Sequence, residues 1–404
     1  MSKIYNWIRK YPLLVVFATF MMVYYCLDMY ASRKEFSELE NRSLKQRPKF
    51  SWASLVSNEY TKKYEEYIND QFVFRDQWIS IKSVAESAIA KVENNGVAYG
   101  RDHYLFGVKT TVDAPQMEKN ADYLNQFLES YQCHVTFGLI PNSYEMMRDY
   151  LPTGLGAIQI QQQPVIDRLY SQVRGRNLET LDVSGALASL NGMALTAYTG
   201  DPGSYYRTDH HWRIEAAHTA YAAYCQARGL DYATLEELAP LRREEANFYG
   251  TYYSKAKRYG QPADTLVWYD IPTTSVRINE KDYVTDEKNN KIPVTGLYQT
   301  EKFATRDKYA AFLYGNNGLT VIKSDNNKNK QPGKTSRLLL VKDSYANSLV
   351  PFLTYSYDEI YVVDLRGLGQ KMSTLLKKTE FDDLWVLYNF ENFESDRNFA
   401  RLIL

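Results

Sequence analysis

Arg337-Leu338-Leu339-Leu340-Val341-Lys342-Asp343-Ser344 reads as a buried strand that runs straight into a tight turn with a hydroxyl at its apex. A continuous apolar run, rather than an alternating one, is the signature of a strand covered on both faces. Tyr345 to Tyr355 then carries the pattern expected of a helix, so the unit is strand, turn, helix. The alternation continues with a strand at Asp358 to Asp364, a helix near 370–378 and a strand at Leu384 to Tyr388. Upstream, a helix over Met117 to Tyr131 precedes a strand at His134 to Ile140. A helix near 160–173 and a strand at Leu178 to Val183 follow. Strands and helices in alternation predict an α/β fold with a parallel sheet flanked by helices. In such sheets chemistry collects at the carboxyl ends of the strands, which is where Ser344 and Asn142 stand. Asn142 is therefore a candidate oxyanion donor, with a plain turn asparagine as the alternative.

A serine at a strand-to-helix turn needs a base. Two of the five histidines lie in Tyr205-Tyr206-Arg207-Thr208-Asp209-His210-His211-Trp212-Arg213. Asp209 and His211, two apart, can share one side of an extended segment, where the carboxylate orients the imidazole as base for a distant nucleophile. Asp209 can instead cap the helix expected over 213–227, with Ala216, Ala217, Ala220, Tyr221 and Tyr224 as its apolar stripe. Zinc is a third option, but His211 and His218 on that helix would be about 10 Å apart along its axis, too far to share an ion. No metal and no cofactor is expected. Ser344 has its own alternative role as a helix cap assisted by Asp343.

Lys3, Arg9 and Lys10 precede Tyr11 to Leu27, a stretch without a charge and long enough to span a bilayer. The bulky Met29-Tyr30-Ala31 argues for an uncleaved anchor, and the basic residues before it place the rest of the chain outside the cytoplasm. Residues 1–31 are thus read as cytoplasmic tip and transmembrane anchor, 32–56 as a juxtamembrane linker, and 57–404 as one extracytoplasmic domain. Residues 57–92 carry amphipathic helices with Tyr60, Tyr64, Tyr67, Phe72, Phe74, Trp78 and Ile81 as their buried set. Short strands are expected at 97–100 and 103–106 around a turn. Residues 240–335 break the alternation and read as an irregular, partly β insertion over the sheet face, in which Phe248 to Tyr253 is the piece nearest the site. Tyr252 is accordingly a candidate substrate or oxyanion group.

Lys and Arg total 48 against 48 Asp and Glu, a balance that argues against a nucleic-acid partner. The 35 tyrosines suit an aromatic-lined carbohydrate groove or simple compositional bias. Three cysteines, Cys26, Cys133 and Cys225, make no disulfide framework; the last two can pair or stay reduced.

Asp209-His210-His211-Trp212 resembles the signature of the DHHW protein family of bacteria. The likeness extends to Glu38-Leu39-Glu40-Asn41-Arg42, Asp70-Gln71-Phe72-Val73-Phe74-Arg75-Asp76, Lys342-Asp343-Ser344-Tyr345-Ala346-Asn347-Ser348 and Val363-Asp364-Leu365-Arg366. That family is similar in turn to the SGNH-like O-acetyltransferases of alginate and other exopolysaccharide systems, which pair an Asp-x-His-Trp segment with a later serine. The resemblance implies an SGNH-hydrolase-like, flavodoxin-like sheet, with Ser344, His211 and Asp209 as catalytic residues and Trp212 and Arg366 as candidate substrate or oxyanion groups. The motif order is permuted relative to ordinary SGNH hydrolases, and Lys342 stands where they carry glycine. It also implies a polysaccharide substrate and a membrane-bound O-acyltransferase partner supplying the acetyl group. An acetyl esterase and an inactive carbohydrate-binding or assembly protein are the alternatives.

Overall fold

The computed structural model describes residues 5, 7, 9–37, 40, 42–188, 190, 203–286 and 289–404. Glu38, Leu39 and Asn41 of the motif quoted above lie outside them. Contacts divide the chain into two units, residues 1–91 with 257–260 and residues 92–256 with 261–404. Residues 57–91, expected at the head of the large domain, group with the first unit.

In the second unit a seven-stranded mixed sheet is built from β1 (His134–Ile140), β2 (Leu178–Leu181), β3 (Ser275–Ile278), β4 (Leu319–Lys323), β5 (Arg337–Lys342), β6 (Glu359–Val363) and β7 (Asp383–Asn389), in the order β3-β4-β6-β5-β7-β1-β2. β6, β5, β7, β1 and β2 are parallel, while at one edge β4 runs antiparallel to β6 and β3 antiparallel to β4. The expected all-parallel sheet is corrected at that edge. Residues 240–335 do not merely lie over the sheet face; they supply both β3 and β4, besides a separate hairpin of Arg242–Phe248 with Asp264–Tyr269. Along β5, Leu338 and Leu340 enter one core while Leu339 and Val341 enter the other, so both faces are buried, as the continuous apolar run requires.

The strand expected at 134–140 forms over those same residues, and the helices near 117–131 and 160–173 form as Ala114–Glu129 and Gln162–Gln172. The short strands around 97–107 form an antiparallel pair. The helix expected over 345–355 is different. It breaks into a 3-10 turn, Ser344–Ser348, and one short α turn, Val350–Leu353, with Pro351 at its start. Proline cannot donate the backbone bond that would continue the first turn into the second.

In the first unit, the helix Pro12–Tyr30 is 19 residues long with mean hydropathy 1.8, long and apolar enough to cross a membrane. The short helix Trp52–Val56 and the longer helices Glu59–Gln71 and Arg75–Ala88 follow. The expected burial of their aromatic faces is not found: Phe72, Phe74, Trp78 and Ile81 are exposed, and Tyr60, Tyr64 and Tyr67 are half-buried. Ring contacts such as Tyr24 with Phe72 and Phe50 with Tyr60 are joined by polar ones. Arg42 grips Asp70 in two bonds of 2.8 and 2.6 Å, and Glu40 bridges to Arg75 and Lys257. These motif residues therefore hold the unit together.

Candidate active site

β5 ends at Lys342, and Asp343 turns the chain into the 3-10 segment. Asp343, not Ser344, caps that turn: its Oδ1 accepts the Tyr345 N–H at 3.0 Å. Its Oδ2 accepts the Asn389 N–H at 2.8 Å and the Asn392 side-chain amide at 2.7 Å, fastening the turn to the end of neighbouring β7. With capping done by its neighbour, the Ser344 hydroxyl is left to another partner. It is half-buried, and its Oγ lies 3.0 Å from His211 Nε2.

The strap 205–212 closes on itself through a bridge between Tyr205 and Trp212. This extended geometry, rather than a helix, places Asp209 and His211 side by side as the two-residue spacing suggested. His211 Nδ1 stands 2.6 Å from Asp209 Oδ1, which also accepts the His211 N–H at 2.9 Å. Asp209 is not a helix cap; Arg213 occupies that position before the helix Ile214–Arg228 and makes no side-chain cap bond. The other carboxylate oxygen accepts the Thr251 N–H at 2.7 Å and the Thr251 hydroxyl at 2.6 Å. Thr251 comes from the 248–253 piece expected nearest the site. Gly250 before it has no alternative, because a Cβ there would sit 2.1 Å from Asp209 Oδ2.

Burial by itself would raise the Asp209 pKa, but the imidazoles of His210 and His211 hold it well below the usual carboxylate range. Burial and the neighbouring His210 push His211 down to about 4, against the upward pull of Asp209. At neutral pH the pair is therefore a carboxylate beside a neutral imidazole, whose Nε2 lone pair faces a hydroxyl. That series can take a proton from Ser344 and leave an alkoxide-like nucleophile.

Several neighbours fix this arrangement. Tyr309 stacks on His211 with ring centroids 3.8 Å apart and planes 10° apart. Its hydroxyl donates to the Ser344 carbonyl at 3.1 Å. The Trp212 indole N–H donates to the Tyr345 carbonyl at 2.8 Å and to Ser348 Oγ at 3.1 Å. Trp212 is fully buried, so it ties the strap to the serine turn and presents no surface to a substrate. Tyr345 OH donates back to the His210 carbonyl at 2.5 Å. The strap and the turn are thus bonded in both directions.

The other expected site residues distribute as follows. Asn142, at the end of β1, is buried, and its Oδ1 accepts from Gln162 at 2.8 Å and Asn389 at 3.2 Å. Those two donors fix the amide so that Nδ2 faces Tyr345 OH at 3.5 Å. Tyr252 belongs to a small core with Val97, Leu105 and Ala256, its ring edge-on to His210 at 6.1 Å, and so is buried away from a substrate. Arg366, after β6, is clamped by Asp364 through bonds of 2.9 and 2.6 Å and keeps a partly exposed guanidinium. Lys342 is buried and donates to Asn347 at 2.7 Å, with Asp364 at 3.5 Å. Asp209, His210 and His211 bring three ligating atoms close together, yet each Asp209 oxygen already accepts two protein donors and His211 Nδ1 is committed to it. This donor set is built for hydrogen bonding rather than for an ion. Cys133 and Cys225 are separate thiols, on the His134 carbonyl and Ser356 respectively.

Residues 197–363 match the model of the DHHW protein family. The DHHW match takes in Asp209, His211, Thr251 and Ser344, and stops before Arg366. A DHHW family protein from Eubacterium siraeum has a similar structure, with TM-score 0.60, 23% identity, and coverage of 77% of this chain and 96% of that one. Bacillus cereus PatB1 with a sulfonyl adduct is also similar, with TM-score 0.57, 20% identity, and coverage of 75% and 97%. These likenesses establish a shared fold. No curated protein matches this chain.

Proposed function

We propose that the chain is a membrane-anchored, extracytoplasmic serine acyltransferase that O-acetylates a polysaccharide. The observation that carries this reading is the 3.0 Å approach of Ser344 Oγ to His211 Nε2, with Asp209 behind the ring. His211 takes the Ser344 proton as Oγ bonds to the acetyl carbonyl carbon of a donor ester. The tetrahedral intermediate collapses, the donor oxygen leaves with the proton from His211, and the acetyl group stays on Ser344. A sugar hydroxyl then attacks that ester carbon and gives its proton to His211. Ser344 Oγ departs with that proton, restoring the resting state. The Ser344 backbone N–H and Asn142 Nδ2 are the donors we assign to the oxyanion.

The resemblance to SGNH-like exopolysaccharide O-acetyltransferases supports this reading, as does the adduct on PatB1, since sulfonyl electrophiles add to activated hydroxyls. The helix Pro12–Tyr30 is the anchor, with Arg9 and Lys10 on the cytoplasmic side and the site outside. Acetyl groups then have to be delivered across the membrane, for which a membrane-bound O-acyltransferase is the partner.

The test is turnover of p-nitrophenyl acetate by the full-length protein in detergent. Ser344→Ala is expected to lower the rate by at least about 10³-fold. Undiminished turnover in that variant would remove Ser344 from the chemistry. Running the assay with and without an oligosaccharide separates acetyl transfer from an esterase that uses water alone.

A further inference from the structure

His210 is a second imidazole in the site with no role in the steps above. It is partly exposed, and its ring lies 3.8 Å, centroid to centroid, from that of His211. Its tautomer follows from counting protons. Asp209, as a carboxylate, only accepts, so the 2.6 Å contact with Thr251 Oγ1 requires the Thr251 hydroxyl to donate its single proton to Asp209. Thr251 Oγ1 then has only lone pairs to offer His210 Nδ1, with which it is hydrogen-bonded. His210 Nδ1 must therefore carry the proton, and in a neutral ring Nε2 carries the lone pair. Both imidazoles are thus pinned through Nδ1 to one carboxylate, His211 directly and His210 through Thr251. Both turn an Nε2 acceptor away from it. The acceptor of His211 is occupied by Ser344; that of His210 has no partner among the described residues.

We propose that His210 is an acceptor-binding residue whose Nε2 receives one hydroxyl of a vicinal diol while the adjacent hydroxyl is presented to His211 and the acyl carbon on Ser344. The pairing of two acceptors on rings in contact selects two neighbouring donors, which adjacent sugar hydroxyls supply. A carboxylate or phosphate offers only acceptors and is refused at this position. This inference rests on the acyl-transfer reading and adds to it the class of acceptor.

The experiment uses the full-length protein at about pH 8. An activated acetyl ester serves as donor, and trans-cyclohexanediol with adjacent hydroxyls competes with cyclohexanol as acceptor. The measured quantity is the ratio of diol acetate to cyclohexanol acetate, which does not depend on how fast Ser344 is acylated. Wild type is expected to prefer the diol, and His210→Phe to lower that preference about tenfold, the usual loss for one hydrogen bond to an acceptor. His210→Gln keeps an acceptor and is expected to recover part of the preference, which a merely structural role of the ring would not do. An unchanged ratio in both variants, or no diol preference in wild type, overturns the proposal. Mass spectrometry of Ser344 separates the two layers. An acetylated Ser344 with an unchanged ratio sinks only the role of His210, whereas no acyl-enzyme in wild type sinks the acyl-transfer reading as well.

Discussion

His211 works between opposing influences, and the balance sets a pH range. Its pKa is pushed down to about 4 by burial and by His210, against Asp209. A protonated ring cannot accept the serine proton, so acylation is expected to hold level as pH falls toward 5 and to drop about tenfold per unit below about 4. Stability moves the same way, because the unfolded chain binds the proton first: the contribution of the neutral buried ring is complete above an ordinary histidine pKa and is lost as pH falls through the folded value. A pH–rate profile under single-turnover conditions checks the first, and denaturant midpoints across the same range check the second. Asp209→Asn is expected to lower activity by about 10⁴-fold and stability by about 1–3 kcal/mol, since one amide N–H must face the donors on His211 or Thr251. Ser344, His211 and Asp209 were legible because each carries its chemistry in a short motif or turn. Thr251 and Tyr309 were not, because their pairing with the strap spans tens of residues and exists only after the chain has folded.

At the scale of elements, the carboxyl ends of β1, β5, β6 and β7 gather the site, and the strap from 205–212 is laid across the β5 turn. The parallel strands were readable from their apolar runs. β3 and β4 were not, because short antiparallel edge strands amid polar turns leave little periodic signal. The helix expected after Ser344 was wrong because its apolar residues satisfied the pattern while Pro351 broke the backbone ladder. Trp212→Phe should keep the ring in its cavity while stranding the Tyr345 carbonyl and Ser348 contacts, at a cost of about 1–3 kcal/mol seen in chemical denaturation. Asp364→Ala should cost about 3–5 kcal/mol, because Lys342 is left as a buried cation with Asn347 as its remaining partner. Burial lowers the Lys342 pKa, so this penalty should shrink as pH rises and the ammonium gives up its proton.

For the molecule as a whole, an apolar helix of 19 residues precedes helices whose aromatic side chains are half-buried, as Tyr60, Tyr64 and Tyr67 are, or exposed, as Trp78 is. Amphipathic periodicity was visible in residues 57–92, but periodicity says which side chains share a face, not what covers that face. The full chain should remain with membranes through an alkaline carbonate wash, and a chain lacking residues 1–31 should be released by it. The most direct measurement of the central claim is mass spectrometry of the protein after phenylmethanesulfonyl fluoride treatment. We expect one sulfonyl adduct, mapped to Ser344, absent from Ser344→Ala and formed far more slowly in His211→Ala. A folded wild-type protein that takes no adduct, or takes it at another residue, would contradict an activated Ser344.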